Sequence, residues 1–429
     1  MKILHINTYD YGGAANACLR LHDGLLKSGI DSKVLVRHKS YNIFPEIYAY
    51  EPEIIPFSKR LKRKIQRILK EFYLYKEKVS IPELEIESQN LQKIRLNSLE
   101  MISFPESNID ITNNKLFSEA DIIHLHWVAS FLDYKTFFIK CQKPIVWTFH
   151  DQNPFLGVEH YAEIFFSPDN QGLPIARQFD DYELKIEEKY KRVKREIFKN
   201  IPINIVALCN WMKTEIIKSQ MFPLAKINII PNGIDSAQFK ILDKTFCREL
   251  LNLPLSKKII LFVSDDINNN RKGLNYLLKS FEEINIDNLL ICSIGKNMNS
   301  QLKHSKINFI ELGKVYDQRL MNVAYCIADV FITPSFMETF GLTIVESLLC
   351  GIPVISFPNG GSYEIIKDEF NGYITKDLSV DALSEAINIF FSVGIKWEPT
   401  EIRKDAIERY DISLQVKKIK QLYTDVFNS

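Results

Sequence analysis

The chain has 429 residues, 46% of them apolar and 25% charged, with a formal net charge of +1. That length suggests two or three folded domains, and the balanced charge excludes a global pull toward nucleic acid or a membrane surface. The seven cysteines, at 18, 141, 209, 247, 292, 326 and 350, are odd in number and form no C-x-x-C pair. This argues against a disulfide framework or structural zinc site and for reduced thiols in a cytosolic protein.

The N-terminal MKILHINTYDYGG has no long apolar region and no cleavage site, so it does not read as a signal peptide. No run approaches the roughly 18 apolar residues of a spanning helix. Lys2–Asn7 reads as a short buried strand, which passes through Tyr11–Gly12–Gly13 into an apolar-periodic helix from about Asn16 to Ser28, ended by Gly29. Ser32–Val36 is the next strand, completing a βαβ unit. Further strands at Ala120–Leu125, Pro144–Thr148 and Ile203–Leu208 suggest a parallel sheet with helices on its faces.

The stretch from about 42 to 115 departs from this alternation and reads as an insertion. Within it Leu61, Ile65, Ile68, Leu69 and Phe72 fall on one helical face, while lysines and arginines crowd the other. Residues 59–78 are either a solvated helix capping the first domain or a contact with an anionic membrane surface or lipid diphosphate.

A second series of strands follows at Lys258–Val263, Leu289–Ile294, Asn308–Glu311, Asp329–Thr333 and Pro353–Phe357. Helices separate them at Leu274–Glu283, Tyr316–Cys326 and Val345–Cys350. The expectation is two doubly wound α/β domains, 1–222 and 223–409, joined where Pro223 and Pro231–Asn232–Gly233 interrupt the pattern. The apolar spacing of Tyr410–Phe427 predicts a last helix, about 410–429, that returns to the first domain.

Residues 328–356 carry the strongest chemical signal. The strand ending at Thr333 leads into a loop, Pro334–Gly341, and then a helix starting near Leu342 or Thr343. In an open α/β sheet, ligands bind at the carboxyl ends of the strands. A helix start there offers unpaired N–H groups and a positive dipole end, which suit a diphosphate, and Gly341 lets the backbone approach it closely. Glu346 lies about one turn into the helix, and Glu338 lies in the loop on the other side of the anion position. Two carboxylates so placed are suited to accept hydrogen bonds from hydroxyls on either side of the anion. For a single acid, simple attraction to the helix dipole is an equal rival.

Pro334–Ser335–Phe336–Met337–Glu338–Thr339–Phe340–Gly341, continued through Glu346 to Gly351–Ile352–Pro353–Val354, resembles the P-S-x-x-E-x-x-G-x-x-x-x-E-x-x-x-x-G-x-P-V string of the retaining group 1 glycosyltransferases, family 4. The resemblance covers most of the chain. Asn270–Arg271–Lys272–Gly273–Leu274 is similar to the family's R-K-G segment, which implies that Lys272 binds phosphate with Arg271 beside it, neutralising a departing diphosphate. Many relatives carry another arginine just after the preceding strand, where this chain has Ser264–Asp265–Asp266. Either Arg271 substitutes for it, or the phosphate site is arranged differently. Trp147–Thr148–Phe149–His150–Asp151 resembles a segment whose histidine reaches the transferred sugar or its phosphate, which implies that role for His150 and an acceptor-side place for Asp151. Gly12–Gly13 resembles the glycine loop facing the donor phosphates and the acceptor, and a plain tight turn is an equal reading. Gly313–Lys314–Val315 resembles the loop whose backbone reads the nucleotide base. Asn232–Asp235 resembles the turn at the domain junction, and Gly360–Gly361–Ser362 a later cleft loop without an assigned role.

The resemblance implies the glycosyltransferase B arrangement: an α/β fold of two doubly wound, Rossmann-like domains facing each other across a cleft. The second domain would hold a nucleoside-diphosphate sugar and the first a glycan or lipid-linked acceptor. Sugar transfer would proceed with retention. Glu338 would orient sugar hydroxyls, Glu346 would bind the ribose, and the helix start at Gly341, Leu342 and Thr343 would face the diphosphate. No D-x-D motif occurs, so neither a metal nor a cofactor beyond the nucleotide-sugar co-substrate is expected. His124 and His126 are expected to face opposite sides of their strand, unable to chelate together, and to be structural or cleft-lining. The expected setting is bacterial surface-polysaccharide synthesis in the cytoplasm, with or without contact to the inner face of the plasma membrane and with no nucleic-acid partner. Two rivals stand beside this reading: a nucleotide-sugar epimerase of the same fold, and a non-catalytic nucleotide-sugar-binding subunit.

Overall fold

A computed structural model describes residues 1–41, 44–51, 83–95, 100–162, 167–168, 174–175, 177, 179–284, 286–296, 308–392 and 397–428. The basic stretch 59–78 lies outside these residues. The first domain contains, in chain order, β1 (Lys2–Tyr9), β2 (Asp31–His38), β3 (Ile47–Ala49), β4 (Ile122–Leu125), β5 (Ile145–Thr148), β6 (Ser167–Pro168), β7 (Pro174–Ile175), β8 (Asn204–Ala207) and β9 (Lys226–Ile229). Seven of them form one sheet in the order β3-β2-β1-β4-β5-β8-β9, and β6 with β7 forms a separate antiparallel ribbon. Every pairing in the large sheet is parallel.

A parallel sheet is covered on both faces, so its strands are apolar throughout. All four residues of β4 and of β5 are accordingly buried. Side chains alternate between the faces: Leu4 and Ile6 join a core with Ile123, Leu125 and Trp147, whereas Ile3 joins one with Ile122 and Val146.

The second domain contains β10 (Lys258–Asp266), β11 (Leu289–Lys296), β12 (Phe309–Glu311), β13 (Val330–Thr333), β14 (Val354–Ser356) and β15 (Gly372–Ile374). Their order is β12-β11-β10-β13-β14-β15, again all parallel. Strand order reverses between β1 and β4 in the first sheet and between β10 and β13 in the second. Each sheet therefore has a switch point, and a crevice opens there at the carboxyl edge.

Two boundaries differ from the sequence expectation. β9 pairs with β8, so the first domain runs past 222 and the chain crosses over near Pro231–Ile234. Only two apolar residues alternate here, Ile227 and Ile229, before Ile230 and Pro231, which is too short a pattern to stand out as a strand. Likewise β3 extends the sheet inside the stretch assigned to an insertion, which begins only after Ala49.

The second crossing is at the other end of the chain. The helix Pro399–Tyr410 packs in the second domain through Ile402, Ala406 and Tyr410. Asp411 then caps the helix Ile412–Phe427, which lies on the first domain with Val416, Ile419, Leu422, Tyr423 and Val426 against Ile3, Leu21, Leu25 and Val206. The two crossings run side by side: Ile234 N donates to Tyr410 O at 2.9 Å, and Ile412 N donates to Ile234 O at 3.1 Å. Because Ile419 is fully buried in this cluster, Ile419→Ala should cost about 2–5 kcal/mol in urea unfolding. A loss below about 1 kcal/mol would mean that the last helix contributes little to the first domain's core.

Candidate active site

The carboxyl edges of the two sheets face each other. Three helices begin at the loops after β1, β10 and β13, at Gly12, Gly273 and Gly341, and none has a side-chain cap. Several other helices do carry such caps, at Asp180, Asp243, Asp317 and Asp411. Side-chain caps satisfy the first amides of a helix; omitting them leaves N–H groups directed into the cleft, where an anion can take them. Gly341 has φ +94°, a conformation that glycine adopts without a steric penalty, and it turns the loop so that Leu342 and Thr343 start the helix. Gly13 is the first residue of the opposing helix.

Glu338 lies in the Pro334–Gly341 loop with Lys272 Nζ bonded to its Oε1 and Arg271 Nη1 at 4.0 Å. Burial pushes the Glu338 carboxyl up, but Lys272 and Arg271 outweigh it and hold the group below its ordinary value. Burial pulls the Lys272 ammonium down, with Glu338 opposing. The loop is braced from behind: Gly361 N donates to Glu338 O at 2.9 Å, and Asn359 Nδ2 donates to Ser335 O at 2.7 Å. A Cβ at Gly361 would lie 2.3 Å from Phe340 O, so this close approach requires glycine. Gly360–Gly361 thereby acquires the role that the sequence left open.

Arg271 is committed elsewhere. Its Nε donates to Glu100 Oε1 at 2.6 Å, its Nη1 donates to Met337 O at 2.7 Å, and its guanidinium stacks 4.3 Å from the Tyr161 ring centroid. Asn269 Nδ2 also donates to Glu100 Oε1, at 2.8 Å. Arg271 thus ties the second domain to the first and does not stand free to replace the absent arginine near Asp265. Lys314 Nζ pairs with Asp265 Oδ1 at 2.6 Å, which orders the loop of Gly313 and Val315.

Glu346 is buried and held from both domains. Tyr325 Oη donates to its Oε2 at 2.9 Å, and Arg20 Nη2 crosses the cleft to its Oε1 at 2.7 Å. Arg20 and Glu346 are each less than one tenth exposed. Neither Arg20 nor Glu100 was identified from the sequence. Arg20 sits in an ordinary amphipathic helix and Glu100 in the insertion, so no local pattern marks them.

His150 follows β5 on the first-domain wall. Its Nε2 is 3.0 Å from His126 Nδ1, and burial holds its imidazole down at about 4. Asp151 is not a free acceptor-side group: Oδ2 accepts from Trp127 Nε1 at 2.6 Å and from His160 Nδ1 at 2.5 Å, and Oδ1 accepts from Asn153 N at 3.0 Å. It organises the wall on which His150 stands. The opposite-face expectation for His124 and His126 also fails. Residues two apart on a strand share a face, and these rings lie 4.2 Å apart, centroid to centroid. With His5 they form a buried trio whose ring nitrogens lie within 4.8 Å of one another. Those of His124 are both engaged, by Tyr423 Oη at 2.6 Å and Thr148 Oγ1 at 2.8 Å, so His124 has no free nitrogen to offer an ion while it keeps these partners.

Two family models match this chain: Glycosyltransferase Family 4 over residues 98–238 and Glycosyl transferases group 1 over residues 243–409. An uncharacterized glycosyltransferase of Methanocaldococcus jannaschii is 25% identical over 321 residues, 71% of this chain and 75% of its own length. The UDP-Gal:alpha-D-GlcNAc-diphosphoundecaprenol alpha-1,3-galactosyltransferase of Escherichia coli is 26% identical over 235 residues, 52% of this chain and 60% of its own. Other curated relatives are spanned over smaller shares of their length, down to 8%. The sucrose-phosphate synthase of Thermosynechococcus elongatus superposes over 100% of both chains with a TM-score of 0.68 at 16% identity, a likeness of fold.

The Glu100–Arg271 contact has a pH signature. Burial pushes the Glu100 carboxyl up, but Arg271 and Asn269 more than offset this and hold it at about 2. A carboxyl depressed on folding stabilises the fold above its unfolded pKa, and that contribution is lost as pH falls through the folded value. Thermal midpoints should therefore fall as pH drops from about 5 toward about 2, and Glu100→Gln should flatten part of that slope. An unchanged slope in the variant would remove Glu100 from the account.

Proposed function

The chain belongs to the group 1 glycosyltransferases of family 4, and we propose that it transfers a sugar from a nucleoside-diphosphate sugar to a glycan or lipid-linked acceptor with retention of configuration. The observation that carries this reading is the Glu338–Lys272 pair set between uncapped helix starts at the switch point. In the proposed complex the diphosphate lies against the amides at Leu342 and Thr343 and those at Gly13, with Lys272 neutralising the charge that develops as it leaves. Glu338 then accepts from sugar hydroxyls, and Glu346, steadied by Tyr325 and Arg20, accepts from the ribose. His150 contacts the sugar or its phosphate. The loop of Gly313 and Val315 borders the base, and Gly12 lies toward the acceptor.

Retention by double displacement needs a carboxylate nucleophile beside the anomeric carbon. Four cleft carboxylates are engaged by side chains, Glu338 by Lys272, Glu346 by Arg20 and Tyr325, Glu100 by Arg271, and Asp151 by Trp127 and His160, and the buried Asp10 accepts through Oδ2 from Ser40 N and Tyr41 N. This favours a front-face route. The bond from the anomeric carbon to the phosphate oxygen breaks as the acceptor oxygen bonds on the same face, and the acceptor's proton passes to the departing phosphate. The Escherichia coli relative, whose name specifies UDP-Gal and a diphosphoundecaprenol-linked acceptor, supports a uridine nucleotide and a lipid-linked glycan as the first pair to try. The proposed setting is surface-polysaccharide synthesis on the cytoplasmic side of the plasma membrane. Among the described residues no helix is long and apolar enough to cross a membrane.

Thermal-shift screening against nucleotide sugars identifies the donor, because a ligand of the folded state raises its stability. With that donor, Glu338→Gln should lower kcat/KM by about 10²–10³-fold while unfolding normally. Wild-type transfer by this variant would refute the assignment, and a wild-type protein that binds donor without ever transferring would favour the non-catalytic reading. Activity should persist in excess chelator. Loss on chelation with recovery on adding a divalent ion would refute metal-independent transfer.

A further inference from the structure

Behind His150 the first domain holds a row of imidazoles that the transfer reaction does not itself require. β1 and β4 pair with His5 opposite His124, and His126 follows β4 on the same face. His5 Nδ1 lies 2.9 Å from His126 Nε2, and His126 Nδ1 lies 3.0 Å from His150 Nε2. His5 and His126 are buried. Burial depresses all three rings, so the row is neutral near pH 7.

A neutral imidazole has one N–H and one bare nitrogen. Each contact in the row needs one of each, so the three N–H groups must all point the same way. If they point inward, His150 Nε2 donates to His126, His126 Nε2 donates to His5 Nδ1, and the row ends in an N–H at His5 Nε2. That atom is buried without a partner. No neighbouring ring can accept from it: the nitrogens of His22 face Ser32 Oγ at 2.7 Å and Pro45 O at 2.9 Å, and those of His124 face Tyr423 and Thr148. If they point outward, His5 Nδ1 donates to His126, His126 Nδ1 donates to His150 Nε2, and the row ends inside in a bare nitrogen. Among backbone groups, buried N–H groups without an acceptor are rarer than under-satisfied acceptors, and the same asymmetry applied to the imidazole favours the outward direction. Asp151 offers His150 no alternative orientation, since its oxygens serve Trp127, His160 and Asn153.

We infer that His126 and His5 are positioning residues that fix His150 in its Nδ1–H tautomer, so that His150 meets the substrate as a neutral hydrogen-bond donor to a sugar or phosphate oxygen and not as a base. The substrate named here rests on the proposed transfer reaction; the tautomer rests on the row alone. Its role follows from that: a donor at a fixed nitrogen orients an oxygen, and the acceptor's proton is left to the departing phosphate.

The test uses the full chain labelled with ¹⁵N-histidine. Long-range proton–nitrogen NMR at neutral pH separates Nδ1–H from Nε2–H rings, with His150→Asn and His126→Asn giving the assignments. The expected result is Nδ1–H for His5, His126 and His150; an Nε2–H or doubly protonated His150 overturns the inference. This readout needs no transferase assay, so it fails or succeeds independently of the proposed function. In kinetics, His126→Leu should lower kcat about tenfold with the donor KM within about twofold. His126→Asn, which returns an N–H donor toward His150 Nε2, should recover most of that loss. A full kcat in the Leu variant, or equal loss in both, overturns it. Should the Leu variant not fold, the tautomers of the wild-type protein decide the question.

Discussion

A parallel sheet directs the starts of its following helices to one edge, and at the switch point nothing from the sheet itself fills the crevice. This chain has two such edges and turns them toward each other. The arrangement gathers unsatisfied amides from both domains into one volume while the apolar strands remain covered on both faces. Charge placed there is little screened by water, which explains the strict pairing of the cleft's ionic groups. Lys272 faces Glu338, Arg20 faces Glu346, and Arg271 faces Glu100. An unpaired ion in this setting would be strongly unfavourable, so each ion that a ligand will use has a protein partner in the ligand's absence.

The pairing also divides the cleft into regions of different exchangeability. Lys272 and Glu338 bond to each other, and both sit on second-domain loops at the helix starts. In the proposed complex a diphosphate and a sugar share them without moving a domain. Arg20 and Glu100, by contrast, come from the first domain and bond to residues of the second. Those contacts exist only when the edges are close, so they report closure as much as recognition. Closure excludes water from the reacting bond, and excluding water limits hydrolysis of the donor.

The legible part of this molecule was the part encoded in contiguous residues. The string from Val330 to Val354 specifies a strand, a glycine turn and a helix start, and local structure alone puts Glu338 in the loop and Glu346 in the helix. Apolar runs likewise revealed both sheets, because strands buried on two faces differ sharply from their flanks. Partners distant in sequence were not legible: Arg20 and Glu346 are separated by 326 positions, and Glu100 and Arg271 by 171. Only the folded crossing brings them together. Arg271 shows the cost of reading a motif without its surroundings, since its guanidinium serves Glu100 and Tyr161 as much as the cleft. The histidines show a different failure. Residues two apart on a strand share a face, so spacing alone puts His124 and His126 together, contrary to the expectation of opposite faces.

The paired crossings at Ile234 and Asp411 have a mechanical consequence. Two segments joined by backbone hydrogen bonds at one spot resist being pulled apart or slid past each other, yet each bends readily through its own torsions. They make a two-ply pivot at the base of the cleft, with the last helix as a rigid arm clamped to the first domain. Motion about such a pivot is a rotation with a nearly fixed axis, so the cleft cannot widen evenly. It swings open most at the rim farthest from residues 234 and 411.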